Sequence, residues 1–278
     1  MIAPSVLFPL AVCAVCIPCA SVGDVRILPW LVVYLLATAF AVAAGAVTPV
    51  GVLALAVLLA LAWQARRSTG LARLALILLF AALGIALSMH AVPGVGKLNS
   101  QHASDAPAFT LSLDVGKVSV GLLLFALLVP RLSGAAEARR LWRPTLAIGL
   151  VGTAVTLAAA VAMGYVRVEP KLPPGTVAFL VSNLLFTCLA EESFFRGLLQ
   201  EEMHRAAERS RRPGLHVLAV ALSAIVFGAA HARGGLHYVL LATLGGATNA
   251  LAYAKARRVE ASAVTHFTLN AVRFIFFA

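Results

Sequence analysis

The chain alternates between apolar runs and short polar segments that carry most of its charges. A helix needs about 20 mostly apolar residues to cross the hydrocarbon core of a bilayer. The pattern predicts ten such helices, at 2–22, 27–46, 50–64, 71–91, 117–130, 144–165, 174–200, 214–231, 236–254 and 260–277. The run at 117–130 is short, and a re-entrant or tilted segment is an open alternative there. We therefore expect an all-α polytopic membrane protein, a bundle of about 8–10 transmembrane helices with an intramembrane polar cavity.

The loops between these runs differ in charge in a regular way. With ten spans, the loops richest in arginine and lysine all fall on one side of the membrane, which the positive-inside rule makes the cytoplasmic side. Those loops contain Arg66, Arg67, Arg73, Arg131, Arg139, Arg140, Arg143, Arg205, Arg209, Arg211, Arg212, Lys255, Arg257 and Arg258. The longest polar segment, at about 92–116, is predicted to be an extramembrane loop. We divide the chain into N-terminal helices, residues 1–140, and a C-terminal helical bundle, residues 141–278, whose polar motifs lie in 174–278.

Composition supports the membrane class and affects how the positive net charge is interpreted. Hydrophobic residues make up 61% of the chain and charged residues 12%, and the mean hydropathy is +0.95. A net charge of +11 could indicate a nucleic-acid partner, but the basic residues are spread in small groups between apolar runs. We expect the lipid bilayer as a partner and no nucleic acid. The Ala-, Arg- and Val-rich composition suggests a bacterial inner membrane.

The first of three polar fragments in the last third of the chain contains Glu191, Glu192 and Arg196. An ionisable group near the bilayer centre costs about 2.5 to 3.5 kcal/mol on insertion scales, so it usually faces a polar cavity and has a function. In a helix, Arg196 shares a face with Glu192 and can pair with it, whereas Glu191 points about 100° away. We expect Glu191 to be a general base in an apolar site. A structural charge cluster at the membrane interface is the alternative.

The second and third fragments each place two side chains one helical turn apart. Phe227 and His231 share a face, so the ring can form a wall of the cavity beside the imidazole, and we assign Phe195 to that wall as well. His266 and Asn270 also share a face, at a spacing that lets both meet one substrate atom. Taken singly, an interfacial histidine and an interhelical asparagine are the simpler interpretations. The conjunction of all three fragments favours a site.

One geometric difficulty follows from the predicted helix ends. His266 lies near the start of its helix, whereas His231 lies at the far end of the intervening helix. Straight helices would leave the two rings about 10 to 20 Å apart in depth, at about 1.5 Å per residue. A short or tilted helix, a break near Gly245 and Gly246, or misplaced helix ends would remove the difference.

The order EExxxR, FxxxH and HxxxN on successive helices resembles the CPBP family, the CAAX protease and bacteriocin-processing membrane proteins, also called the Abi family. The resemblance covers roughly residues 174–278 and implies an intramembrane endopeptidase. Its implied site consists of Glu191, Glu192, Arg196, His231, His266 and Asn270. By this resemblance Glu191 and His231 activate water, and His266 and Asn270 stabilise the oxyanion. The other two residues support the site.

Two versions of this chemistry stay open. In a glutamate-type mechanism, no cofactor is needed, and this is the version we favour. In a metalloprotease version, Glu191, His231 and His266 bind Zn²⁺ and leave one position for water. The usual zinc motif HExxH is absent from the sequence.

The substrate is expected to be a hydrophobic or C-terminal segment of a membrane or precursor protein. The alternative from a different class is a non-enzymatic membrane protein, either a transporter subunit or a bacteriocin-immunity-type member. A transporter would favour inverted repeats with matched broken helices, and the sequence shows no such symmetry. The complete set of motif residues argues against an inactive member.

Overall fold

The computed structural model describes residues 4–22, 25–101 and 110–278. The chain is mostly helical in these ranges, and its helices overlap the predicted apolar runs. The predicted class, an all-α polytopic membrane protein, is confirmed. The chain divides into two compact units, Met1–Leu128 and Val129–Ala278.

The described residues of the N-terminal unit form five helices and two short hairpins. Its helices are α1 Pro4–Ala14, α2 Pro29–Ala43, α3 Pro49–Arg67, α4 Gly70–Ser88 and α5 Val115–Leu123, the last of which continues as a π-helical turn, Leu124–Leu128. Its antiparallel hairpins pair β1 Ala20–Val22 with β2 Val25–Ile27, and β3 Lys97–Gln101 with β4 Thr110–Asp114. Nearly every residue of α5 is buried, so this short apolar helix forms the centre of the unit.

Two sequence predictions for this unit need correction. The first helix was expected over 2–22 but ends at Ala14, since the chain turns there and enters β1; residues 2–3 lie outside the described residues. The polar segment 92–116 was expected to be a loop, but it contains the hairpin of β3 and β4. Residues 102–109 of that segment lie outside the described residues.

The C-terminal unit is built from five helices. They are α6 Ala135–Ala162, α7 Thr176–Ser210, α8 Gly214–Ala230, α9 Gly235–Ala256 and α10 Val259–Phe276. Two stretches of α7 are π-helical, Asn183–Cys188 and Ser193–Gln200, and they flank the glutamate pair. Such π-helical turns within an α-helix are frequent at functional sites.

Not every helix meets the length and hydropathy expected of a full span. Within the described ranges, four helices are long and apolar enough to cross a membrane, namely α3, α4, α6 and α7. The pair α8 and α9 passes together but is bent by 55° at its short break, which would make a fifth. The number of spans and their orientation therefore stay predictions.

Helices α8 and α9 pack closely because glycines lie where they meet. A Cβ atom on Gly228 would lie 2.9 Å from the carbonyl oxygen of Val239, and one on Gly246 would lie 3.0 Å from the Phe227 ring. Helix α9 runs unbroken through Gly246, so the break there, one of the alternatives left open by the sequence, is absent. The bend lies instead in the turn after His231.

The packing predicts different effects for two Gly→Ala substitutions in α8. Gly228→Ala should lower the free energy of unfolding by about 1–3 kcal/mol, because the added methyl group meets backbone of α9. Gly214→Ala is the matched control, since nothing lies within 4 Å of the position its Cβ would take. Thermal unfolding in detergent, followed by size-exclusion chromatography, measures both. Equal midpoints for the two variants would contradict the packing.

Candidate active site

The centre of the site is the buried carboxylate of Glu192. Its Oε1 accepts hydrogen bonds from Arg196 Nη1 at 3.0 Å, from Asn249 Nδ2 at 3.0 Å and from His266 Nδ1 at 2.8 Å. Glu192 and Arg196 are both 0% exposed. The predicted pair one turn apart is therefore present, and the same oxygen also binds a side chain from α9 and another from α10.

Arg196 connects this carboxylate to α9. Its Nη2 donates to the carbonyl oxygen of Gly246 at 2.8 Å, and its guanidinium carbon lies 4.5 Å from the centroid of the Phe227 ring. The negative charges of Glu192 and Glu191 both attract the guanidinium. A buried arginine is tolerated here because carboxylate, carbonyl and aromatic ring all face it.

His266 is held in one orientation by neighbours on two helices. A carboxylate accepts, so the Nδ1–H of His266 donates to Glu192 and leaves Nε2 for the cavity. Thr265 Oγ1 donates to Asn249 Oδ1 at 2.9 Å, and Asn249 Nδ2 in turn donates to Glu192. These hydrogen bonds fix both the His266 ring and the Glu192 carboxylate.

His231 lies at the end of α8, where the chain turns toward α9. Its Nδ1 lies 2.8 Å from the carbonyl oxygen of Phe227. A carbonyl only accepts, so Nδ1 carries the proton and Nε2 is left as an acceptor. The Phe227 ring lies 4.7 Å from the His231 ring and 5.5 Å from the His266 ring, between centroids. Both histidines therefore meet at one aromatic ring, and the expected difference in depth is absent.

Asn270 lies in a separate small polar cluster. Its Nδ2 donates to Asn183 Oδ1 at 3.3 Å and approaches Cys188 Sγ at 3.7 Å. The Cys188 thiol donates to the same Asn183 oxygen at 3.2 Å. Asn183 and Cys188 begin and end the first π-helical stretch of α7. The first π-helical stretch of α7 thus supplies both side chains that contact the Asn270 amide.

A cavity of about 90 Å³ brings four of the eight predicted residues together. His231, His266, Asn270 and Phe227 line it, and its polar groups make it suitable for water. Phe195 does not line the cavity but packs edge-on behind Phe227, with 5.1 Å between the ring centroids. The two glutamates and Arg196 also lie outside the lining; Glu192 and Arg196 are buried behind it, and Glu191 is half-buried.

The proposed zinc ligands are not gathered into a metal site. Within residues 4–22, 25–101 and 110–278, no three His, Cys, Asp or Glu side chains are arranged to hold a metal ion. The Nδ1 atoms of His231 and His266 are already engaged with Phe227 and Glu192. Bonds of this kind to Nδ1 are also usual for histidines that bind a metal through Nε2, so the metal version stays a hypothesis.

The sequence did not identify four residues of the site. Asn249 donates to Glu192, and Thr265 donates to Asn249. Asn183 accepts a hydrogen bond from Asn270. Tyr238 packs edge-on against His231, with 5.3 Å between the ring centroids. Asn249 carries a usable signal, because a polar residue in the middle of an apolar run usually has a partner. The others have no distinctive pattern in a single sequence.

A second polar network joins α7 and α9 at the end of the bundle away from the cavity. Arg257 donates to both oxygens of Glu201 at 2.9 Å, and Tyr253 donates to Glu201 at 2.8 Å. Burial lowers the pKa of Arg257, but its hydrogen bonds to Glu201 and Glu208 outweigh this and raise it. These contacts fasten the two helices that hold Glu192 and Asn249.

The buried ion pair predicts a specific pattern of stability. Arg196→Met should lower the free energy of unfolding by about 3–5 kcal/mol, because it leaves a buried carboxylate without its counter-charge. The double variant Glu192→Gln/Arg196→Met should recover part of that loss, since neither charge remains. Chemical unfolding in detergent measures both. A double variant less stable than Arg196→Met would contradict the assignment.

Residues 173–272 match the model of a family described as type II CAAX prenyl endopeptidase Rce1-like. No match to a curated protein or to a solved structure was found. The matched segment contains all three motifs and every side chain that bonds Glu192. The family indicates a protease, in agreement with the resemblance that the motifs suggested. Residues 173–272, about a third of the chain, are thus similar to the type II CAAX prenyl endopeptidase Rce1-like family.

Proposed function

We propose that the protein hydrolyses a peptide bond in a hydrophobic or C-terminal segment of a membrane or precursor protein, by a glutamate-type mechanism. The observation that carries the proposal is the shared cavity, in which His231, His266 and Asn270 face one volume. The family match supports an intramembrane endopeptidase of the CAAX type in general terms. The individual roles that follow are our assignments.

Glu191 and Glu192 differ in burial and therefore in their ability to activate water. Glu192 is fully buried, and its Oε1 already accepts three hydrogen bonds, so it acts by holding His266 and Arg196. Glu191 is only half-buried, so it is the carboxylate with access to water. We assign it as general base together with His231, whose Nε2 accepts from the water. Catalytic hydrogen bonds often tighten only when substrate binds, so Glu191 need not line the cavity beforehand.

His266 and Asn270 are the donors for the oxyanion. They lie one turn apart on α10, and both line the cavity. The Asn270 amide donates from Nδ2. His266 can donate from Nε2 only with a proton on both ring nitrogens, while its Nδ1–H stays on Glu192. Preorganised donors of this kind contribute about 10²–10³ each in the rate of acyl transfer.

The reaction then balances without a cofactor. The water oxygen attacks the carbonyl carbon, and one water proton passes to Glu191 while His231 Nε2 holds the water in place. The tetrahedral oxyanion forms between Asn270 and His266. Its collapse breaks the C–N bond, and the departing amine takes the proton back from the base. The products are one peptide with a new carboxylate and one with a new amine.

The setting of the reaction follows from the fold. The protein is an integral multi-pass membrane protein, and we propose the inner membrane of a bacterium as its location. Aromatic and aliphatic side chains, including Phe227, Tyr238 and Leu241, line much of the cavity. An apolar segment presented from within the bilayer suits these walls.

Cleavage of a quenched library of apolar peptides by the purified protein in detergent tests the function. Glu191→Ala and His231→Ala should each lower kcat/KM by about a hundredfold or more, since each removes part of the water-activating pair. The matched controls are Glu202→Ala, also on α7, and His237→Ala, an exposed histidine on α9 that is outside the cavity. Both should keep wild-type activity.

The same assay with and without a zinc chelator separates the two mechanisms. Unchanged activity in chelator supports the glutamate type. Loss in chelator that Zn²⁺ restores would replace it with the metal version. No cleavage by the wild-type protein would leave transport or immunity as the function.

A further inference from the structure

The first π-helical stretch of α7 places Asn183 and Cys188 on one side of the helix. In a regular α-helix, residues five apart point about 140° away from each other. In a π-helix the backbone bonds from residue i to residue i+5, so side chains five apart come close to lying one above the other. Asn183 and Cys188 are the first and last residues of the stretch, and the Cys188 thiol donates to Asn183 Oδ1 at 3.2 Å. The irregular backbone therefore allows a contact that a regular α-helix would prevent.

This pair lies opposite Asn270 on α10. Asn183 Oδ1 accepts from Asn270 Nδ2 at 3.3 Å, and Cys188 Sγ lies 3.7 Å from the same nitrogen. Four residues before Asn183 and four residues after Asn270, the rings of Phe179 and Phe274 stack with 3.9 Å between their centroids. The ring pair holds α7 and α10 in the register that sets the two amides against each other.

The cluster fixes the orientation of the Asn270 amide and leaves it able to act. Asn270 lines the cavity, whereas Asn183 and Cys188 lie outside its lining, and Cys188 is 0% exposed. The terminal torsion of an asparagine side chain is broad, so an amide without such a bond would sample other orientations. A primary amide carries two N–H groups, so the bond to Asn183 leaves the second one for the oxyanion. The sulfur at 3.7 Å is a weak acceptor, which a negatively charged oxygen can replace.

We infer that Asn183 is a positioning residue for the oxyanion step, and that Cys188 assists it by holding the Asn183 amide. Asn183 acts through Asn270, because its bond to one N–H directs the other. The inference rests on the proposed function, in which Asn270 stabilises the oxyanion. A different role for the same residues is structural, as interhelical hydrogen bonds that join α7 to α10. The two roles differ in whether the effect of Asn183 depends on Asn270.

A double-mutant cycle between Asn183 and Asn270 tests the inference, with kcat and KM measured by cleavage of quenched apolar peptides in detergent. Asn183→Leu should lower kcat about tenfold, less than the loss of a donor itself, and leave KM within about twofold, because an oxyanion donor acts only in the transition state. In the Asn270→Ala background the same substitution should lower kcat no further, since no amide is left to orient. A structural role predicts that the two losses multiply. Size-exclusion chromatography checks that each variant stays folded.

Substitutions at Cys188 separate hydrogen bonding from packing. Cys188→Ser keeps a donor to Asn183 and should retain kcat within about twofold. Cys188→Ala removes the donor and should lower kcat about threefold to tenfold, the range expected of one hydrogen bond. The control is Thr187→Val, which removes a hydroxyl from the same π-helical stretch at a position outside the cavity lining. It should leave kcat and KM unchanged.

A further loss from Asn183→Leu in the Asn270→Ala background would overturn the inference while leaving the protease intact. So would a loss that appears in KM instead of kcat, or equal kcat values for Cys188→Ser and Cys188→Ala. If Asn270→Ala lowers activity below detection, the kcat of Asn183→Leu and the Cys188 pair decide. No cleavage by the wild-type protein would overturn the proposed function, and the inference with it.

Discussion

The hydrogen bonds that converge on the buried carboxylate of Glu192 hold the site together. In an apolar interior an ionised group persists only if its partners replace water. Arg196, Asn249 and His266 supply those partners from α7, α9 and α10. Because one oxygen accepts from three helices, satisfying its charge also fixes where those helices lie. The arrangement explains why motifs far apart in the chain meet at one cavity.

The same network separates the roles of the two adjacent glutamates. A buried ion pair is a weak source of net stability, because desolvation offsets most of the attraction. Its presence is better explained by what it positions. Glu192 orients the His266 ring, Arg196 spans to the backbone of Gly246, and the Phe227 ring lies beside Arg196, His231 and His266. Substitutions at this pair should therefore affect folding and catalysis together, whereas the cavity side chains should affect catalysis alone.

Much of this was predictable from the sequence, and the reasons for the rest are physical. Helical spacing predicted the pair of Glu192 and Arg196, and hydropathy predicted the helices. The meeting of His231 and His266 was not predictable, because it depends on the bend after α8 and on the close approach at Gly246. The π-helical stretches of α7 shift the phase of its side chains, which an ideal wheel of 3.6 residues per turn cannot anticipate. Asn249 was missed because an interhelical amide has no motif of its own.

The most direct measurement is peptide cleavage in water labelled with heavy oxygen, with products identified by mass spectrometry, for the wild-type protein beside Glu191→Ala. The account predicts that the wild-type protein places one labelled oxygen in the new carboxylate of the N-terminal product, and that Glu191→Ala forms almost none of this product. Labelled product at equal rates from both proteins would show that Glu191 does not activate the water and would contradict the account.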